Sequence, residues 1–291
     1  MKGIILAGGS GTRLLPITSV ISKQLLPVYD KPMICYPLSV LMLMGITDIL
    51  IISTPRDIPH IEGFLGDGSQ FGIKLSYKVQ DEPNGIAEAF LLGEEFINNE
   101  PVCLMLGDNI LHTAQLSQYL KPCTALTEGA SVLVHKVHDP ERFGIAEFDK
   151  NGQVISIEEK PSKPKSNWAV IGVYFYDSRV CEYTKRLERS ERGELEITDL
   201  NKLYLKKKQL TAKPLGRGTA WMDAGTPESL TEASNFVKML ETTQSFKIAC
   251  LEEVAFRMKY IDLAQFKKLT DKYPASSNYH KYLKEIGDEY A

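Results

Sequence analysis

The sequence is short of the residues on which several common chemistries depend. It has five cysteines and five histidines in 291 residues. Cys35, Cys103, Cys123, Cys181 and Cys250 are widely spaced, and no Cys-x-x-Cys pair occurs. Neither a zinc site nor a disulfide framework is therefore expected. No histidine falls in a recognisable catalytic motif. Charge of one sign is not in excess: 34 Lys and Arg face 37 Asp and Glu, a net charge of −3. That balance gives no reason to expect nucleic-acid or membrane-surface binding. The longest apolar stretch, Met33 to Ile46, is broken by Pro37 and Ser39 and is too short to span a bilayer. A strand is expected from Lys2 onwards, which is not the pattern of a secretory leader. Reduced thiols and a cytoplasmic protein are the expectation.

Two familiar phosphate-binding loops are also missing. Gly8-Gly9-Ser10-Gly11-Thr12-Arg13 is not followed by the Lys-Ser/Thr of a Walker A loop. The dinucleotide fingerprint fails as well, because its third glycine would fall at Leu14. What is present is a buried-strand pattern, Ile4 to Ala7, ended by three glycines in four residues. Such a loop can present backbone N–H groups to an anion. Arg13 adds a planar fork for phosphate oxygens. A plain turn between strand and helix would have the same glycines.

Apolar strands and helices then alternate. Tyr36–Met44 reads as a buried helix with Pro37 in its first turn and Gly45 at its end. Asp48–Ser53 and Lys74–Gln80 read as the next strands. This rhythm predicts a parallel sheet covered by helices, with ligands at the carboxyl ends of its strands. Gln80 stands at one such end, offering a donor and acceptors to a pyrimidine edge or simply to solvent. Val102-Cys103-Leu104-Met105-Leu106-Gly107-Asp108-Asn109 brings a carboxylate to another. A hard oxygen there suits Mg²⁺, although an Asx turn closing the strand has the same signature. Residues 110–130 read as a helix and a turn, and 131–137 as a strand. A hairpin is expected at Lys150-Asn151-Gly152. Its second strand delivers Glu158-Glu159-Lys160-Pro161, a sugar and phosphate contact or a solvated charge cluster. Asp223 ends a further strand, and from residue 228 the pattern turns helical.

Gly8–Arg13 with Ser22-Lys23-Gln24-Leu25-Leu26-Pro27 resembles the signature of the sugar-1-phosphate nucleotidylyltransferases, and among them the glucose-1-phosphate thymidylyltransferases. The resemblance covers at least residues 1 to 262. It implies an α/β fold, a Rossmann-like three-layer α/β/α arrangement with a largely parallel central sheet, plus C-terminal helices. It implies a nucleotidylyltransferase catalytic domain over 1–240 and a helical segment over 241–291 for oligomerisation or regulation. The activity implied is Mg²⁺-dependent transfer of a thymidylyl group from dTTP to α-D-glucose 1-phosphate, giving dTDP-glucose and pyrophosphate. Such a product is a precursor for deoxysugars and polysaccharides, including the O-antigen of lipopolysaccharide.

By the same resemblance Leu6, Gly8, Gly9, Ser10, Gly11, Thr12, Arg13, Lys23, Gln24, Gln80, Pro83, Gly85 and Asp108 bind the nucleotide. Asn109, Gly144, Glu159, Lys160, Val170, Tyr174 and Arg192 bind the sugar phosphate. Arg13, Lys23, Asp108 and Lys160 are catalytic, and Asp108 and Asp223 hold the metal. Ala249, Glu253, Val254 and Arg257 match a second, regulatory site for a dTDP-sugar in a homotetramer built as a dimer of dimers. Departures fall at Glu88, where Gln is expected, at Met222 and Ala224, at Thr113, and at Phe256, Lys259 and Tyr260. Alternatives are UTP or another hexose 1-phosphate, a non-catalytic nucleotide-sugar-binding regulator, and a nucleotide-binding oxidoreductase, against which the missing fingerprint argues.

Overall fold

The computed structural model describes residues 1–9, 11–114 and 116–290. In chain order the first half comprises β1 (Lys2–Leu6), β2 (Pro27–Val28), β3 (Lys31–Pro32), α1 (Cys35–Leu43), β4 (Asp48–Ser53), α2 (Ile58–Leu65), β5 (Lys74–Val79), α3 (Glu88–Leu92), α4 (Glu94–Ile97), β6 (Val102–Leu106), β7 (Asn109–His112) and α5 (Leu116–Thr124). The second half comprises β8 (Ala130–Lys136), β9 (Gly144–Phe148), β10 (Val154–Glu159), β11 (Trp168–Tyr176), α6 (Val180–Thr184), α7 (Ile197–Lys206), β12 (Leu210–Pro214), β13 (Ala220–Asp223), α8 (Pro227–Gln244), α9 (Leu251–Arg257), α10 (Leu263–Thr270) and α11 (Asn278–Glu289).

Nine strands form one sheet along the path β10-β9-β11-β6-β1-β4-β5, with β8 on β11 and β12 on β8. β5, β4, β1 and β6 are parallel. β11 then runs antiparallel to β6, β8 and β9. The expected parallel sheet is thus present as one half, and seven of the nine strands share a direction.

The continuous apolar runs are explained by burial on both faces. Side chains alternate across a strand. Ile5 and Ala7 of the β1 segment join Met105, Val173 and the helix α1 in one core. Ile4 and Leu6 join Leu104, Tyr174 and residues of α3, α6 and α7 in the other. Gly45, at φ 85°, takes the left-handed turn that ends α1.

One local reading changes. Residues 110–112, expected as the start of a helix, instead belong to strand β7, paired antiparallel with β13. α8 starts at Pro227 with a capping box formed by Thr226 and Ser229, and runs through position 240 to Gln244. Beyond it, Ile248, Leu251, Phe266 and Leu283 share the core of α1. All five cysteines are free and buried. No helix among the described residues is long and apolar enough to cross a membrane.

Candidate active site

The C-terminal ends of β1 and β6 open into two adjoining cavities. The first, 240 Å³, is lined by Leu6, Gly8, Gly9, Gln24, Gln80, Pro83, Gly85, Ile86, Leu106, Asp108 and Glu194. The second, 630 Å³, is lined by Thr12, Arg13, Asp108, Asn109, Gly144, Glu159, Lys160, Val170, Tyr174, Arg192 and Asp223, among others. Asp108 belongs to both and sits where they meet.

Strand pairing brings the two aspartates together. Asp108 follows β6 directly, and Asp223 ends β13, opposite Asn109 in the β7–β13 ladder. The Ala224 N–H donates to the Asp108 carbonyl at 3.2 Å. Burial, and then the nearby Asp108 charge, push the Asp223 carboxyl above the usual range, while Lys23, Arg13 and Arg142 pull the other way. Asn109 orients Asp108 by donating from Nδ2 to Oδ1 at 2.9 Å. Asn109 Oδ1 in turn accepts from Trp221 Nε1 at 2.5 Å and from the Gly172 N–H at 3.3 Å. A side-chain carbon at Gly172 would lie 2.8 Å from Asn109 Nδ2, so the glycine makes this packing possible.

Cations surround the pair. Lys23 Nζ donates to Asp108 Oδ2, and both side chains are largely buried. Arg13 lies against Gly225: a side-chain carbon there would come within 2.7 Å of Arg13 Nη2. Across the larger cavity, Arg192 donates to Glu196 Oε1 from Nη2 at 2.8 Å and Nε at 3.2 Å. Glu159 accepts from Thr198 Oγ1 at 2.5 Å and lies 3.8 Å from Lys160 Nζ and 3.9 Å from Arg192 Nη2. Lys160 has φ 42°, a left-handed backbone that costs a non-glycine residue on the order of 1 kcal/mol or more. The Tyr174 hydroxyl is pushed well up by burial, so it remains a donor at neutral pH.

Some residues lie elsewhere. Ser10 is outside the described residues. Gly11, at φ 58°, accepts from Thr18 Oγ1 at 2.8 Å and lines neither cavity. Ala249, Glu253, Val254 and Arg257 also line neither. Arg257 donates to Glu253 at 2.6 Å, and Tyr282 donates to the other Glu253 oxygen at 2.5 Å. A separate 570 Å³ cavity lies between α1 and the C-terminal helices, lined by Cys35, Lys247, Leu251, Glu252 and Tyr279 among others, but by none of those four.

Reading the sequence did not single out Arg142, Phe143, Glu194, Thr198 or Trp221, all of which line the larger cavity. Trp221 had a usable signal: two residues before Asp223 on a strand, it shares that side chain's face.

The sequence profile of the nucleotidyl transferase family matches residues 2–239. A glucose-1-phosphate thymidylyltransferase of Neisseria meningitidis is 56% identical over 97% of this chain and 98% of its own length. One from Neisseria gonorrhoeae is 60% identical over 88% and 89% respectively. Among solved structures, a Bacillus anthracis protein described as a candidate glucose-1-phosphate thymidylyltransferase, in complex with sucrose, superposes with a TM-score of 0.76. It is 48% identical, over 81% of this chain and 94% of that one. A UDP-glucose pyrophosphorylase bound to UDP-glucose gives 0.72 at 28% identity, over 82% and 98%. The matched profile and these near-full-length relatives mean that the chain belongs to the nucleotidyl transferase family, alongside the glucose-1-phosphate thymidylyltransferases.

Proposed function

We propose that this nucleotidylyltransferase joins dTTP and α-D-glucose 1-phosphate to give dTDP-glucose and pyrophosphate. The observation that carries the reading is Asp108 at the junction of a small glycine-edged cavity and a larger one ringed by Arg13, Lys160 and Arg192. The smaller takes the nucleoside, with Gln80 on its base, and the larger takes the sugar phosphate. Arg13 and Lys23 serve the triphosphate; Gly144, Glu159, Val170 and Tyr174 border the hexose; Lys160 and Arg192 hold its phosphate.

A sugar-phosphate oxygen attacks the α-phosphorus of dTTP. The new P–O bond forms as the α–β bridging bond breaks, and pyrophosphate leaves with the electron pair. No protein nucleophile is required, because the attacking phosphate is already largely ionised, with a second pKa near ~6. The obstacle is repulsion between anions: each unit-charge pair at ~4 Å costs about 4 kcal/mol at an effective dielectric of 20. Arg13, Lys23, Lys160 and Arg192 offset it and align the reactants.

Asp108 and Asp223 fit a divalent ion. Two carboxylates adjoin one cavity, and burial together with the Asp108 charge raises the Asp223 pKa. Hard oxygen ligands supplied by one or two carboxylates plus substrate phosphates suit Mg²⁺. When bound, the ion supplies positive charge against the triphosphate oxygens.

The same reading extends to a cytoplasmic homotetramer feeding deoxysugar or polysaccharide synthesis. Residues 1–240 form its catalytic domain, and the segment 241–291 carries assembly contacts and a dTDP-sugar feedback site. Pyrophosphate release, assayed over a grid of nucleoside triphosphates and hexose 1-phosphates with Mg²⁺, tests the assignment. The expected best pair is dTTP with glucose 1-phosphate. UTP should be usable as far as the base decides, since thymine and uracil differ by one methyl group, worth only ~1–3 kcal/mol. CTP or ATP as the best donor would overturn the base assignment.

A further inference from the structure

The amide of Gln80 is almost fully buried at the end of β5 and lines the smaller cavity. Its Nε2 donates to Glu88 Oε2 at 2.7 Å. The other Glu88 oxygen accepts from Asn84 Nδ2 at 2.9 Å. Asn84 Oδ1 accepts in turn from Arg189 Nη1 at 2.9 Å, which pins the Asn84 amide as well. On the other side, Gln80 Oε1 points towards Gly8, where a side-chain carbon would come within 2.8 Å of it.

Glutamine is normally ambiguous as a reader of bases, because turning its amide by half a turn exchanges donor and acceptor. A carboxylate removes that ambiguity, since it only accepts. Turning the Gln80 amide would set Oε1 against Glu88 Oε2, two acceptors facing each other at hydrogen-bond distance. We infer that Glu88 is a positioning residue that locks the Gln80 amide in one orientation and thereby selects uracil-type bases over cytosine. The inference rests on the thymidylyl-transfer reading above.

The chemistry of the bases makes the selection. Thymine and uracil carry a carbonyl at position 4 and an N–H at position 3. In the same pose cytosine carries an amino group and a bare ring nitrogen, the reverse pattern. The locked amide offers Oε1 to the N3–H and its second Nε2–H to the neighbouring carbonyl. Cytosine could be satisfied there only by the turned amide, which Glu88 forbids. Leaving a buried polar edge mismatched is a strong basis for discrimination.

The test compares kcat/KM for dTTP and dCTP, each with glucose 1-phosphate, in wild type, Glu88→Gln and Glu88→Ala. With Asn84 pinned as a donor, a glutamine at position 88 sets its oxygen there and its nitrogen against Gln80, which favours the turned amide. The dTTP-to-dCTP ratio should therefore fall by about tenfold in Glu88→Gln, and in the same direction in Glu88→Ala. A merely structural role would lower both nucleotides alike. Ratios within about twofold of the wild type in both variants, with wild-type dTTP turnover intact, overturn the lock but spare the thymidylyl reading. Absence of dTTP turnover in the wild type overturns the reading and the lock with it.

Discussion

Lys23 and Asp108, 85 residues apart in sequence, form a largely buried ion pair at the junction of the two cavities. Each therefore compensates the other in the substrate-free protein. If Lys23 serves the triphosphate and Asp108 a divalent ion, both must change partners when the nucleotide arrives. Lys23→Met should then expose the carboxylate. Mn²⁺ binding to the nucleotide-free protein should tighten on the order of tenfold, followed by calorimetry. The same variant should lose on the order of 10²-fold in kcat/KM for dTTP. Ion affinity equal to wild type would count against the exchange.

The carboxylate pair yields a second prediction. Asp108→Asn and Asp223→Asn should each lose most activity, and chelation should abolish it in the wild type. Mg²⁺ should raise the melting temperature of the wild type more than that of either variant. Metal-free Asp223→Asn should melt at or above metal-free wild type, because burial and the Asp108 charge both penalise the native carboxylate. Near-normal turnover by either variant would refute the metal assignment.

Much of this arrangement could be read from local sequence. Val102–Leu106 is apolar throughout because β6 is buried on both faces, and Gly107-Asp108 announces a strand end. Long-range pairing could not be read in the same way. β7 is four residues long, follows a Gly-Asp turn, and owes its strand conformation to a partner that begins at Ala220. The direction of β11 depends on neighbours drawn from β6, β8 and β9, and an apolar run does not encode direction. The contact between Trp221 and Asn109 spans 112 residues, and Glu159 meets Thr198 only because α7 packs on β10. Charged residues in a sequence reveal a possible site; the fold decides which of them face each other.

Asp177 supplies a pH prediction. Burial alone would raise its carboxyl pKa, but Arg179, the Gly129 N–H and the Tyr204 hydroxyl outweigh burial and hold it below the usual range. Gly129 donates at 2.7 Å, Arg179 Nε at 2.9 Å and Tyr204 Oη at 2.9 Å. A lowered folded-state pKa means the unfolded chain binds the proton more readily. The stabilisation is thus fully present above the unfolded value of about 3.9 and fades as pH falls through the folded value. Urea unfolding at pH 7 should show Asp177→Asn destabilised by about 1.5–3 kcal/mol. The gap from wild type should narrow in acid. A gap that stays constant from pH 7 to about 3 would contradict the linkage.

Four charges tie the C-terminal helices to the rest of the chain. Glu241, on α8, accepts from Lys31 Nζ and from the Ile248 N–H on one oxygen, both at 3.0 Å. Its other oxygen accepts from Lys247 Nζ at 3.0 Å, and Asp30 also receives both lysines. The Lys31 and Glu241 side chains are only 5% and 4% exposed, so neither charge can fall back on water. Removing one carboxylate leaves two lysines sharing Asp30, with one positive charge uncompensated. Breaking a buried pair in this way typically costs about 3–5 kcal/mol. Glu241→Ala should therefore unfold at markedly lower urea, in one transition, because Ile248, Leu251 and Phe266 belong to the same core as β1 and α1. Two separated transitions, with the C-terminal helices melting first, would mean that residues beyond α8 form a unit of their own.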